Sequence, residues 1–265
     1  PDVACLKKAR KSRALERALD TAIPEAVYDA LEARIPRSLS CGWDNDGLSC
    51  CPDPAAPVRG VLVALDATED AVAAAKRRGC NLLVTHHPLL FRGLRAVDGA
   101  DTSSRKVLRL IRAGISTAAF HTRLDALPGG VNDTLATLIG LTDVAAAPDG
   151  MCRIGKLPAA AAPQELARLI GARLHTAVRV NALDRPVRTL AVCGGSGGDL
   201  IDDLAGRADA LLTGEVRHHQ WLQANAAGLT VLEAGHFATE HPVVQALHDR
   251  LRTAFPDIPL TVCAE

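Results

Sequence analysis

Val58-Arg59-Gly60-Val61-Leu62-Val63-Ala64-Leu65, then residues 70–78, then Asn81-Leu82-Leu83-Val84-Thr85-His86-His87-Pro88, form the stretch that decides the fold. The first run is almost continuously apolar, as a strand buried on both faces of a parallel sheet must be. Residues 70–78 read as a helix closed by Gly79, and residues 81–85 as the next strand. The pattern continues with a helix over 106–113, stopped by Gly114, and a strand over 115–121. Strand–helix alternation of this kind specifies an α/β fold with a parallel sheet, with ligands expected at the carboxyl ends of the strands.

Upstream, residues 24–33 read as a helix with Pro24 in its first turn and Val27, Leu31 and Ile35 on one face. Downstream, residues 129–140 read as a loop entering a helix that ends at Gly140, and the composition breaks at Ala145-Ala146-Ala147-Pro148-Asp149-Gly150. Further helices are expected over 163–174, 200–205 and 216–226, with strands over 177–180, 189–193, 210–213 and 229–234. The last helix is expected from about 240 to 253. The expected organisation is an N-terminal extension over 1–23, a metal-binding α/β domain over 24–126 plus 236–265, and a second α/β domain over 127–235. No internal repeat is evident.

The chain's 265 residues suffice for one large or two ordinary hydrophobic cores, and its apolar runs are too short to span a bilayer. Lys+Arg and Asp+Glu are equal at 30 each, so no net field favours nucleic acid or an anionic membrane. A small molecule, or another copy of the chain, is the expected partner. Eight cysteines form no Cys-x-x-Cys pair, and the vicinal Cys50-Cys51 is too tight for an ordinary bridge. Reduced thiols in the cytoplasm are expected. The start carries no apolar leader-like run, and its basic segment from Lys7 to Arg13 reads as a solvated extension.

Three groups of residues carry the chemistry. His86-His87-Pro88 closes a strand; consecutive strand residues face opposite ways, so both imidazoles reach one site only where the chain turns, and Pro88 keeps His87 out of helical geometry. Alone, the pair reads as one histidine bonded in the core and one on the surface. His121-Thr122-Arg123-Leu124-Asp125 ends the next strand and adds an imidazole and a carboxylate at the same sheet edge. His236-Phe237-Ala238-Thr239-Glu240 follows a later strand, with His236 in the loop, Thr239 as a helix cap and Glu240 in the first turn. Three of these four histidines with the two carboxylates suit a dinuclear site, because carboxylates can bridge two ions while imidazoles cap them. Nitrogen and oxygen donors without thiolate suit Zn, Mn, Fe, Co or Ni.

Other features are more ambiguous. Cys193-Gly194-Gly195-Ser196-Gly197-Gly198 reads equally as a structural turn or as a nest of amides for phosphate, and lacks the third glycine of a dinucleotide fingerprint. Glu215 and His219 are expected to share a helix face and to stand behind the ligands or against substrate. Trp43 reads either as part of a loop over the site or as a packing residue.

Trp43-Asp44-Asn45-Asp46-Gly47-Leu48, Thr85-His86-His87-Pro88-Leu89-Leu90-Phe91, His121-Thr122-Arg123-Leu124-Asp125, Gly129-Gly130-Val131-Asn132-Asp133, Thr213-Gly214-Glu215 with His218-His219, and Gly235-His236-Phe237-Ala238-Thr239-Glu240 occur in that order. In that order they resemble the Nif-three-like (NGG-interacting factor three) dinuclear metal-centre family, often labelled GTP cyclohydrolase type-two homologues. The resemblance spans residues 24–265. It implies two α/β domains with two divalent ions per chain in the cleft between them, and a ring-shaped homohexamer. Carried over residue by residue, the implied ligands are His86, His87, Asp125, His236 and Glu240. His121, Asp44, Asn45, Glu215 and His219 are implied behind them or against substrate. The chain departs from the family at Asp46, where an apolar residue is usual. The expected function is a metal-dependent hydrolase acting on a nucleotide or related phosphate-bearing metabolite. The alternative is a non-enzymatic metal-binding regulator or metal-handling protein working through protein partners.

Overall fold

The computed structural model describes residues 24–181 and 183–263; the N-terminal extension read at 1–23 lies outside them. Helix α1 (Pro24–Glu32) buries Val27 and Leu31. After strand β1 (Gly47–Cys50) come β2 (Val61–Ala64), helix α2 (Glu69–Arg77) and β3 (Leu82–Thr85), and both β2 and β3 are buried at every position. Thr68 caps α2 by accepting the Ala71 amide at 3.0 Å. Helix α3 (Thr102–Ala113) starts on Asp101, which accepts the Ser104 amide at 2.8 Å, and stops at Gly114 with φ 64°. Strand β4 (Ser116–Ala119) leads into the short helix α4 (Thr122–Ala126).

Beyond it lie α5 (Val131–Ile139), β5 (Thr142–Ala146), β6 (Arg153–Ala161), α6 (Pro163–Leu174), β7 (Arg179–Val180) and β8 (Val187–Cys193). The chain continues through α7 (Ile201–Leu204), β9 (Ala210–Thr213), α8 (His218–Ala227), β10 (Thr230–Glu233), α9 (His236–Glu240), α10 (Val243–Ala254) and β11 (Leu260–Val262). Among the described residues no helix is long and apolar enough to cross a membrane.

The chain divides into two compact units, residues 24–123 with 247–263, and residues 124–246. In the first, five strands run in the order β1-β4-β3-β2-β11, parallel except for β1. Leu62, Leu83, Val72, Leu110 and Ile115 form its core. Burying a leucine of this kind stabilises by about 1.5–3 kcal/mol. In the second, six strands run β5-β6-β8-β9-β10-β7. Only β8, β9 and β10 are mutually parallel; β5, β6 and β7 pair antiparallel. Leu135, Ile170, Leu190 and Leu212 anchor one buried cluster, and Ile201, Leu211 and Val231 another.

The observed limits differ from the sequence reading, which drew its boundaries at 126/127 and 235/236. Residues 236–246 fall in the second unit because α9 packs on the loop after β8: the Gly195 amide donates to Thr239 Oγ1 at 3.1 Å. The expected final helix is split, α9 ending at Glu240 and α10 starting at Val243, since Pro242 has no amide with which to continue the ladder. Strands β1, β5, β6 and β11 were not anticipated.

Candidate metal centre

In the first unit β3 and β4 are parallel neighbours with Thr85 opposite Ala119, so His86-His87 and Phe120-His121 leave the sheet at one edge. Thr85 Oγ1 donates to the His87 carbonyl at 2.7 Å, and this turn brings two consecutive imidazoles together, with ring centres 4.8 Å apart. The His121 ring lies 5.3 Å from His86 and 5.5 Å from His87. One nitrogen from each of the three rings lies within 4.8 Å of the others.

Each ring is anchored through Nδ1. That of His86 is 3.0 Å from the Phe120 carbonyl, that of His87 3.0 Å from Asp66 Oδ1, and that of His121 3.0 Å from Asp44 Oδ1. A carbonyl oxygen only accepts, so His86 Nδ1 carries the hydrogen and the lone pair falls on Nε2. The two carboxylates impose the same tautomer on their rings, which is the usual arrangement behind metal-binding histidines.

The loop beneath His121 is tightly held. Asp44 accepts from the Thr122 amide at 3.0 Å and from the Thr122 hydroxyl at 2.6 Å. Burial raises the Asp44 carboxyl, but hydrogen bonds from His121 and Thr122 outweigh burial and hold it at about 2. Asn45 Nδ2 donates to the Leu90 carbonyl at 2.6 Å. Asp46, the departure from the family pattern, meets Arg123 at 2.6 Å, and neither side chain has exposed surface.

In the second unit the His236 imidazole lies between two carboxylates: Nδ1 is 3.0 Å from Glu215 Oε1 and Nε2 is 3.0 Å from Glu240 Oε2. Ser196 Oγ donates to Glu215 Oε2 at 2.7 Å, and this bond above all draws the Glu215 carboxyl down. Ligand atoms of Asp125 and Glu240 lie within 4.8 Å of one another, and Glu240 is buried. Like charges so close disfavour one another, and a cation between them reverses the sign. Asn132 braces the set, donating to the Asp125 carbonyl at 3.3 Å and the Met151 carbonyl at 2.9 Å, and accepting the Gly194 amide at 2.8 Å. Donors of imidazole and carboxylate type, close together and partly buried, fit a divalent ion of the zinc, manganese or iron kind.

Some expectations are corrected here. Thr239 does not cap the last helix; its hydroxyl donates within α9, to Gly235 at 3.0 Å and His236 at 2.9 Å. Glu215 precedes α8 and turns to His236, while His219 is exposed on the helix, so the two share no face. Of the two readings of the glycine run, the structural turn is the one the bonds favour, because three of its amides are engaged within the protein: Gly194 with Asn132, Gly195 with Thr239, and Gly197 with Thr213 at 2.8 Å. Its smallness has another reason. Gly195 has φ 64°, and a Cβ there would strike the Glu240 carboxylate.

Beside His236 is a cavity of about 590 Å³, walled by Phe237 stacked on His241 with ring centres 4.7 Å apart. Arg173 and His175 also line it, and no carboxylate does. Sequence reasoning missed Asp66, the cavity, and what Asn132 and Ser196 hold. Asp66 carried a signal, since it directly follows the strand read over 58–65.

The family model described as Duf34/NIF3 (NGG1p interacting factor 3) matches residues 24–264. The "GTP cyclohydrolase 1 type 2 homolog" of Lactococcus lactis subsp. lactis is 34% identical over 225 residues, covering 82% of this chain and 87% of its own. The protein of the same name from Streptomyces coelicolor is 37% identical over 231 residues, covering 82% and 81%. Among solved structures, a Bacillus cereus protein related to NIF3 shares the fold with a TM-score of 0.86, at 20% identity, over 92% of this chain and 97% of its own. With the histidine and carboxylate groups in place on that fold, the chain belongs to the Duf34/NIF3 family.

Proposed function

We propose that the chain is a dinuclear metal-binding hydrolase acting on a nucleotide or related phosphate-bearing metabolite. In this reading His86, His87, Asp125, His236 and Glu240 hold two divalent ions. The observation that carries it is the set of imidazoles anchored at Nδ1, three in the first unit and His236 in the second, the last beside paired carboxylates. Bound divalent ions supply Lewis-acid activation of water and of a substrate oxygen.

The protein's own contribution is orientation. The Phe120 carbonyl, Asp66 and Asp44 fix three ring planes, and Glu215, itself held by Ser196, fixes that of His236. The cavity beside His236, with Arg173 and three imidazoles in its lining and no carboxylate, suits the anionic part of the substrate. The GTP cyclohydrolase names of the relatives support a purine nucleotide. The family resemblance supports a ring-shaped homohexamer, and the free thiols of the described cysteines are in keeping with the cytoplasm.

The test is a turnover screen of nucleotides and phosphoesters with metal-free and metal-loaded protein. Metal-dependent turnover that is lost in Asp125→Ala is expected. A metal-loaded protein that turns over no member of the panel contradicts the hydrolase reading.

A further inference from the structure

The chain holds two Trp, one Tyr and four Phe, and only Trp43, Phe91 and Phe237 are exposed, at 63%, 53% and 48%. All three stand beside histidines of the candidate centre. Phe237 follows His236 in the chain, and the rings of Trp43 and Phe91 each lie 6.1 Å from that of His121. Large rings left in water cost hydration free energy, and exposed aromatic groups of this kind mark contact surfaces.

Trp43 and Phe91 are also neighbours, with ring centres 5.8 Å apart and planes inclined at 54°. The segments that carry them are tied together by the 2.6 Å hydrogen bond from the Asn45 side chain to the Leu90 carbonyl. Asp44, with no exposed side-chain surface, pins the loop next to Trp43 onto His121 and Thr122. Exposed rings on a pinned loop are preorganised: little conformational entropy remains to be lost when something stacks on them. The polar side chains next to Trp43, Asp44 and Asn45, are already engaged within the protein, so the two rings present their faces and edges.

We propose that Trp43 and Phe91 form a stacking platform for the planar ring of the substrate, a nucleobase or a heteroaromatic ring of similar size. This platform rests on the reading of the chain as one that acts on a nucleotide or related metabolite, and it adds which residues hold the metabolite's ring. It also explains why Trp43, exposed as it is, sits in the same short segment as Asp44.

The chain's only other tryptophan is Trp221, so the variant Trp221→Phe leaves Trp43 as a sole fluorescent reporter. The probes are guanosine, GMP and ribose 5-phosphate, titrated into metal-loaded protein, with binding measured in parallel by calorimetry. Guanosine and GMP are expected to quench Trp43 emission, and ribose 5-phosphate is expected to leave it unchanged. Phe91→Ala is expected to weaken GMP binding about tenfold, and Phe91→Tyr to restore it, since a base stacks on either aromatic ring.

Circular dichroism and metal content check that the variants remain folded and loaded. Calorimetric binding of ribose 5-phosphate without any quenching by guanosine or GMP overturns the platform and leaves the phosphate-metabolite reading standing. Quenching without turnover of any nucleotide keeps the platform and removes the hydrolase. Trp43 emission that acrylamide cannot reach in the purified protein means that another copy covers the rings, which also overturns the proposal.

Discussion

Asp46 and Arg123 meet at 2.6 Å with no exposed side-chain surface, and Arg123 lies 4.7 Å above the Phe120 ring. The guanidinium is further satisfied by the Ile35 carbonyl at 3.1 Å and by Glu32 at 3.2 Å. Two buried charges that complete each other's hydrogen bonds are tolerated; one left alone is not. Asp46→Leu is therefore expected to lower unfolding free energy by about 3–5 kcal/mol in urea denaturation, and the pair Asp46→Leu with Arg123→Met to recover most of it. A single mutant as stable as wild type would show that the pair contributes nothing. Asp66 plays a different part, touching His87 Nδ1 from a half-exposed position. Asp66→Ala is expected to weaken metal affinity by about 10–100-fold in a chelator competition, with little change in thermal stability.

The loop after β8 read equally as a structural turn or a phosphate nest, and the geometry gives its glycines a reason of space. A Cβ at Gly195 would strike the Glu240 carboxylate, and one at Gly214, after β9, would crowd the His236 backbone. Gly195→Ala is expected to destabilise by about 1–3 kcal/mol, from left-handed backbone strain, and to release metal. Unchanged melting temperature and metal content would count against it.

Elements with strong local signals were legible. Helix α6 begins at Pro163, and β9 is a short apolar run buried at every position. Strands β5 and β6 were not legible. The first is exposed along its whole length and contains Asp143 at φ 51°; the second carries Gly155 and Pro158 and buries Arg153. Neither shows the β-branched alternation that marks a strand from sequence. Strands β1 and β11 are short and only partly buried, so pairing rather than composition defines them. The histidines and carboxylates were legible because strand ends and spacing carry them. The roles of Asn132 and Ser196 were not, because single hydrogen bonds to the Asp125 carbonyl and to Glu215 leave no spacing pattern in the sequence.

Taken as a single object, the chain has equal numbers of acidic and basic residues and a donor set divided between two units. The proposed ligand set draws on both units, His86 and His87 in the first and Asp125, His236 and Glu240 in the second. Sedimentation equilibrium is expected to return a hexamer; a monomer at all concentrations would contradict the ring. Elemental analysis of the purified protein, wild type beside Asp125→Ala after gentle dialysis, bears on the metal centre itself. About two equivalents of a divalent metal per chain are expected in wild type, with a sharp loss in the variant. Wild-type protein that carries no metal, and takes up none of Mn, Fe, Co, Ni or Zn, would contradict the dinuclear centre and the hydrolase built on it.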